Sequence, residues 1–145
     1  MIKNNKSQPA LAYIDEEYKI KLDQLKNKHK DDPDHFLNRL ELKQIYILSI
    51  SLALKNKYKP KKSNKKTWII RTEYLKDEDM TLLKSLIYSF CKNIKILLPE
   101  NSSQFYEICE ELANAGMNKA IELLENSEDI EKIILAESKN FDIKK

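Results

Sequence analysis

Apolar residues recur at three- and four-residue steps along most of the chain, the spacing typical of α-helices with one buried face. Acidic or capping residues begin most of these apolar stretches, and Pro33 and Pro99 mark the ends of two of them. The pattern predicts a mainly α fold of about five helices in one domain over residues 10–140, after a flexible tail at 1–9. The expected helices run from Asp15 to about Lys30, Phe36 to Lys57, Asp77 toward Pro99, Asn101 to Leu124, and Glu128 to Ser138.

Two short segments favour strand over helix. Ala10–Ile14 precedes the first helix, and Thr67–Ile70 is either a short strand or an anchored loop. A strand followed by two helices allows a ribbon-helix-helix arrangement, in which the strand pairs across a dimer and enters the DNA major groove. Alanine, leucine and isoleucine offer no hydrogen bonds to base edges. Such a strand is therefore more suited to packing or to pairing with another chain, and a homo-oligomer is an open possibility.

The second predicted helix contains the longest apolar run of the chain, Ile45–Leu54. A helix that is apolar nearly all round is either central in its fold or part of an oligomer interface. The run is about half of the roughly 20 residues needed to span a bilayer, and the lysine-rich N-terminus shows no targeting signal. We therefore expect a cytoplasmic protein without a membrane segment.

Composition removes several classes of protein. The 145 residues include one glycine, Gly116, so a glycine-rich phosphate loop or dinucleotide-binding motif is excluded. Gly116 lies on the apolar face of the fourth helix, where it either admits a second helix at close range or breaks the helix. Ala113 and Asn114 share this stretch, which indicates a helix-packing point, with Asn114 as a candidate cap. Cys91 and Cys109 fall in apolar helical patterns, as buried reduced thiols do.

Charge is divided unevenly between the two halves of the chain. Residues 1–71 hold 17 basic and 8 acidic side chains, whereas residues 72–145 hold 9 and 15. The net charges are thus +9 and −6 within a total of +3. This asymmetry suggests one half that faces a polyanion and another that faces protein.

The basic segment, residues 55–71, is the strongest functional signal because it contains no acidic residue. Lysines at this density neutralise phosphates and release counterions, which gives salt-dependent, weakly sequence-specific binding to nucleic acid. Tyr58 and Trp68 flank the run and are candidates for stacking on bases. The alternative is a solvated loop with Trp68 inserted in the core. Lys61, Lys62, Lys65 and Lys66 are the expected phosphate contacts. The basic residues of the segment are Lys55, Lys57, Lys59, Lys61, Lys62, Lys65, Lys66 and Arg71.

Catalytic and metal-binding patterns are weak. Two histidines and three carboxylates occur over His29–His35, but their spacing matches no known metal site. Asp34, Glu41 and Lys43 resemble the acid, acid, lysine set of metal-dependent nucleases only superficially, because Glu41 and Lys43 would point to different faces of one helix. We expect no catalytic residue, metal or cofactor, and a metal-dependent nuclease is the remote alternative.

The stretch from Phe105 to Gly116, FYEICEELANAG, resembles the I-x-E-E-Y-A-N-x-G helix of the family of DNA phosphorothioation-associated protein 4, with Leu112 in place of the tyrosine. The apolar helix before the basic segment and the helix over Asp79–Leu98 are similar in order and spacing. The likeness spans most of residues 10–138.

This resemblance implies an accessory role beside machinery that places or senses sulfur on the DNA backbone in prokaryotic defence against phage. The sequence hypothesis is accordingly a non-enzymatic accessory protein that contacts DNA through the basic segment. The alternative is a protein–protein adaptor, in which Ile45–Leu54 and the acidic half dock larger ATPase, nuclease or modification subunits.

Overall fold

The computed structural model describes residues 9–126, with the side chain of Phe36 excepted. Over this range the chain is mainly α, with five helices and one two-stranded antiparallel sheet, as predicted. The predicted tail lies almost wholly outside the described residues, as does the predicted helix Glu128–Ser138. The elements are β1 (Leu11–Asp15), α1 (Glu16–Lys28), α2 (Phe36–Arg39), α3 (Leu42–Lys55), β2 (Lys66–Arg71), α4 (Asp77–Cys91) and α5 (Ser102–Glu125), with 3-10 turns at Thr72–Tyr74, Ile94–Leu97 and Pro99–Asn101.

The core is built around the crossing of α3 and α5. Ile45, Tyr46 and Ile50 of α3 are fully buried, as are Leu112 and Met117 of α5. The apolar run over Ile45–Leu54 is therefore the central helix of this chain, which is one of the two placements that its pattern allowed. Over residues 9–126, no helix combines the length and apolarity needed to cross a membrane.

Helix α1 begins where its sequence signals place it. The Asp15 side chain accepts a hydrogen bond from the Glu17 amide at 3.1 Å, which caps the first turn. Tyr18, Leu22 and Leu25 follow at helical spacing and are buried. The helix thereby lays one apolar face on the core directly after the sheet.

The predicted helix over Phe36–Lys57 is wrong in one respect, because the structure divides it into α2 and α3. Leu40 has extended backbone angles, and the Lys26 ammonium donates to the carbonyls of Leu37 and Leu40 at 3.0 and 2.9 Å. These bonds satisfy the carbonyls that end α2. Burial lowers the pKa of Lys26. The Glu41 amide then donates to the Gln44 side chain at 2.8 Å and starts α3.

The third predicted helix also ends earlier than expected. Lys92 adopts a left-handed conformation (φ 57°), and its amide donates to the Tyr88 carbonyl at 2.7 Å, which closes α4. Asn93 then accepts from the Lys95 amide and opens a 3-10 turn. Sequence reasoning extended the helix toward Pro99 because a lysine is an uncommon residue for this ending.

Strand β1 pairs with β2 of the same chain in antiparallel register, from Leu11 opposite Arg71 to Asp15 opposite Lys66. A ribbon-helix-helix protein pairs the equivalent strand with a second subunit. Here the partner strand belongs to the same chain, so the pairing of β1 differs from that of a ribbon-helix-helix protein. It also settles Thr67–Ile70 as strand.

A half-buried ion pair joins α3 to the start of α4. The Lys43 ammonium lies 2.8 Å from Asp79 Oδ2, which also accepts from the Lys76 amide at 2.8 Å. The hydrogen bond from Lys43, followed by that from Lys76, lowers the pKa of Asp79. The same bond raises the pKa of Lys43.

We expect the substitution Asp79→Asn to lower stability at neutral pH by an amount that fades in acid. A carboxylate whose pKa is lowered by folding stabilises the fold above its unfolded pKa of about 4 and loses that contribution as the pH falls. Urea unfolding of the parent and the variant from pH 7 to pH 3 measures the difference. A gap in midpoint that stays constant through this window would show that the ion pair makes no linked contribution.

Candidate nucleic-acid interface

The basic segment leaves α3 at Lys55, crosses the surface and enters the sheet at Lys66. Lys57 has positive φ (57°), which turns the chain away from the end of α3. Four lysines along it are exposed and have no acidic partner among residues 9–126. These four, called here the unpaired lysines, are Lys55, Lys57, Lys59 and Lys62.

Asn114 of α5 ties the segment to the body of the fold. Its Oδ1 accepts from the Asp15 amide at 2.8 Å, and its Nδ2 donates to the Lys61 carbonyl at 2.9 Å and to Ser63 Oγ at 2.8 Å. Asn114 is 1% exposed, so these bonds form away from competing water. One side chain therefore holds β1, the basic segment and α5 in a fixed relation.

Further bonds hold the same stretch against α5. The Lys61 amide donates to the Glu111 carbonyl at 2.9 Å. Ser63 Oγ donates to Glu110 Oε2 at 2.7 Å, and the Asn64 amide donates to Asp15 Oδ2 at 2.7 Å. The backbone of the segment is thus anchored from Lys61 onward, and its lysines are displayed from a fixed support.

The other four basic residues predicted to bind nucleic acid contact their own chain, and they include three of the four expected phosphate ligands, since Lys62 alone of those four is unpaired within residues 9–126. Lys61 donates to the Tyr18 hydroxyl at 2.5 Å, and this bond raises the Lys61 pKa. The remaining three lie beside carboxylates: Lys65 with Glu16 at 3.6 Å, Lys66 with Glu110 at 3.3 Å, and Arg71 with Glu73 at 3.7 Å. The pairs of Lys65 and Arg71 join exposed side chains and contribute about 0–1 kcal/mol each, screened by salt, whereas the Glu110 side chain beside Lys66 is 7% exposed. The structure therefore divides the predicted set into four unpaired and four engaged cations.

The aromatic candidates are on the surface. Trp68 is 49% exposed and Tyr58 is 39% exposed. The alternative that placed Trp68 in the core is therefore wrong. Tyr74, at 60%, is a third exposed aromatic residue, and sequence reasoning missed it because it follows β2 with no periodic pattern around it.

Gly116 lies at the crossing of α5 with α3, and α5 runs through it without a break. A Cβ built at Gly116 would lie 1.8 Å from the Ser49 carbonyl oxygen, so the helices approach more closely than any side chain allows. Ala113 is fully buried nearby. Asn114 is not a cap, because it occupies the middle of α5.

The residues considered for metal binding and catalysis have structural contacts. His29 and His35 stack at 3.9 Å between ring centroids, and His35 Nδ1 accepts from the Leu37 amide at 3.1 Å to cap α2. Lys43 donates to Asp79 at 2.8 Å. Within residues 9–126, no group of three or more histidine, cysteine or acidic residues is arranged to hold a metal ion.

The two cysteines are free thiols in the structure. Cys109 is fully buried, and burial raises its pKa. Cys91 is partly buried, and its pKa is raised for the same reason. Both thiols are held in the protonated form, which is the less nucleophilic one.

Comparison of the chain with protein-family models, with curated proteins and with solved structures gave no match. The resemblance to the DNA phosphorothioation-associated family therefore stays a prediction from sequence.

Proposed function

We propose that this chain is a non-enzymatic DNA-contacting accessory protein and that the unpaired lysines are its main phosphate ligands. The sequence resemblance suggests the setting, a prokaryotic DNA-modification or anti-phage defence system. One observation carries the proposal. Four exposed lysines without an acidic partner among residues 9–126 lie on a segment that is anchored to α5 from Lys61 onward.

Preorganisation is what distinguishes this segment from an ordinary lysine-rich loop. A flexible loop loses conformational entropy when it is ordered on a ligand, at about 1–2 kcal/mol per residue for the backbone. Anchorage through Asn114 and Glu111 avoids part of that loss between Lys61 and Lys65. Of the unpaired lysines, Lys62 lies in that stretch and Lys55 is the last residue of α3, so these two can contact phosphates with less ordering of the chain.

Simultaneous glutamine substitution of the unpaired lysines tests the proposal. We expect the affinity for a random-sequence duplex at low salt to fall at least about tenfold, because each phosphate contact releases counterions. The slope of log affinity against log salt should flatten by about 3. Fluorescence anisotropy of a labelled duplex over a salt series measures both.

A matched variant controls for net charge. Lys30, Lys84, Lys92 and Lys95 are exposed, lie outside the basic segment and have no acidic partner among residues 9–126. Lys92 also shares the positive φ of Lys57. Glutamine at these four positions should leave most of the affinity and slope. Equal losses of DNA affinity in the two variants would show that binding depends only on the net charge of the protein. That result would refute the assignment of the unpaired lysines as the main phosphate ligands.

The protein–protein adaptor is the second candidate, on a different surface from the one expected. The Ile45–Leu54 helix is covered by α5 and is not free to dock a partner. Exposed apolar side chains lie instead on and after α4, at Leu82, Phe90 and Ile94, which are 48, 41 and 64% exposed. Exposed apolar side chains that form one patch are typical of protein interfaces, and these three residues are the candidates for such a patch. Absence of any DNA affinity at low salt would favour this candidate.

A further inference from the structure

One face of the two-stranded sheet is aromatic and basic, and a β-bulge produces it. Tyr13 lies opposite Trp68, and Ala12 lies opposite Ile70, so Ile69 is an extra residue in β2. A bulge of this kind turns two consecutive side chains toward one side of the strand. Ile69 and Ile70 are accordingly both buried, at 1 and 5% exposure.

The opposite face carries the exposed residues. Leu11 and Tyr13 share it because alternate residues of a strand point the same way. Their cross-strand partners, Arg71 and Trp68, share it too, although they are three positions apart. Arg71 and Trp68 are exposed and Tyr13 is partly exposed. The Lys66 ammonium lies 5.9 Å from the centre of the Tyr13 ring. We call Tyr13, Lys66, Trp68 and Arg71 the sheet platform.

A groove of about 520 Å³ adjoins the platform at Trp68. Its other side is formed by Leu40 and Leu42, and Tyr74 and Arg71 contribute to its rim. The volume falls within the roughly 300–1,000 Å³ typical of sites for small planar ligands. Glu41 and Lys43 also line the groove, and Trp68 and Arg71 are the two platform residues that belong to its lining.

Resting on the proposed DNA contact, we propose that the sheet platform and its groove bind unpaired bases of single-stranded DNA, with Trp68 as the principal stacking residue. The π faces of bases in a duplex are already stacked and cannot reach Trp68. Reading of the major groove by a β-ribbon requires side chains that hydrogen-bond to base edges. Leu11 and Trp68 are poorly suited to that role, and the two platform cations, Lys66 and Arg71, lie beside Glu110 and Glu73. Aromatic faces beside cations are instead the usual surface for single strands.

The positive charges around the sheet platform suit the phosphate backbone of a DNA strand that runs beside it. Lys66 and Arg71 are 58 and 56% exposed despite their partners Glu110 and Glu73. The Arg71–Glu73 pair joins two exposed side chains at 3.7 Å and is open to exchange for a phosphate oxygen. Lys66 keeps its 3.3 Å pair with Glu110, whose side chain is 7% exposed, and offers its exposed side to a phosphate. The unpaired lysines precede Lys66 along the chain, so in this proposal the strand passes from the platform toward the basic segment.

Trp68 is the only tryptophan of the chain, so its intrinsic fluorescence reports stacking without a label. We expect a short oligothymidylate to quench this fluorescence and to bind more tightly than an abasic strand of equal length or a duplex of equal length. The substitution Trp68→Ala should weaken oligothymidylate binding by about 5- to 100-fold. Tyr88→Ala, an equally exposed aromatic residue on α4 (42% exposed), should leave it unchanged.

The outcomes separate this inference from the proposed function. Equal binding of all three probes, with Trp68 fluorescence and Trp68→Ala affinity unaltered, would overturn the stacking site while leaving DNA contact through the lysines intact. Absence of binding by any probe at low salt would overturn both. Circular dichroism of Trp68→Ala confirms that the variant is folded, as expected for an exposed side chain.

Discussion

Gly116→Ala should destabilise the protein by about 2–4 kcal/mol, although alanine is the better helix former by about 1 kcal/mol. The new methyl carbon would meet the Ser49 carbonyl oxygen at 1.8 Å and the Ala53 amide nitrogen at 3.0 Å. Both are backbone atoms of α3 and cannot rotate away, so the two central helices must separate. Such a loss is a large part of the free energy of unfolding of a domain of this size, which is about 5–15 kcal/mol.

Urea unfolding followed by far-ultraviolet circular dichroism measures this loss. Asn118→Ala is the matched control, because Asn118 is exposed on the same helix two residues later. Its helix propensity also rises. The hydrogen bond lost is the exposed one from the Lys21 ammonium at 3.4 Å, so the urea midpoint of this variant should stay close to that of the parent. A midpoint for Gly116→Ala at or above that of the parent would show that α3 and α5 can move apart without cost.

Asn114→Ala is expected to cost about 2–4 kcal/mol and to weaken DNA binding as well. The Asp15 amide and the Lys61 carbonyl each lose a buried partner, and an unsatisfied buried group costs about 1–3 kcal/mol. The basic segment also loses its attachment to α5, so its lysines have to be ordered on the ligand. Both effects follow from a single side chain that is 1% exposed.

Two measurements distinguish these effects. Urea unfolding gives the loss of stability, and fluorescence anisotropy of a labelled duplex gives the loss of DNA affinity. Hydrogen exchange of the Asp15 amide should also accelerate well beyond that of amides in the α3–α5 core. Gln104→Ala, an exposed amide near the start of α5, serves as the control and should change neither. Unaltered protection of Asp15 in Asn114→Ala would contradict the role assigned to this side chain.

The helices and their buried faces could be predicted because periodicity reports them directly. Tyr18, Leu22 and Leu25 occupy one face of α1 in sequence and in structure. The division between α2 and α3 could not, because it depends on Lys26, a residue 11 to 14 positions away in sequence from the carbonyls that it satisfies. The early end of α4 depends on a left-handed lysine, which carries no compositional signal.

The site was predictable in location but not in detail. A run of lysines without acids is visible in sequence, whereas the partners of Lys61 and Lys66 come from α1 and α5 and appear only in three dimensions. Exposure of Trp68 was equally hidden. An insertion of one residue in β2 decides it, and the apolar pair Ile69 and Ile70 after Trp68 is the faint sequence trace of that insertion.

Asp15 and Asn114, which meet through one hydrogen bond, are separated by 99 positions along the chain. Contacts between residues so far apart in sequence form late in folding, because the long intervening chain must first lose conformational entropy to bring the two residues together. During synthesis the ribosome releases every lysine of the basic segment well before it releases Asn114. A growing or truncated chain would therefore contain the lysines of the basic segment without the anchorage that holds the segment in place. The anchored basic segment can form only when synthesis has passed the middle of α5.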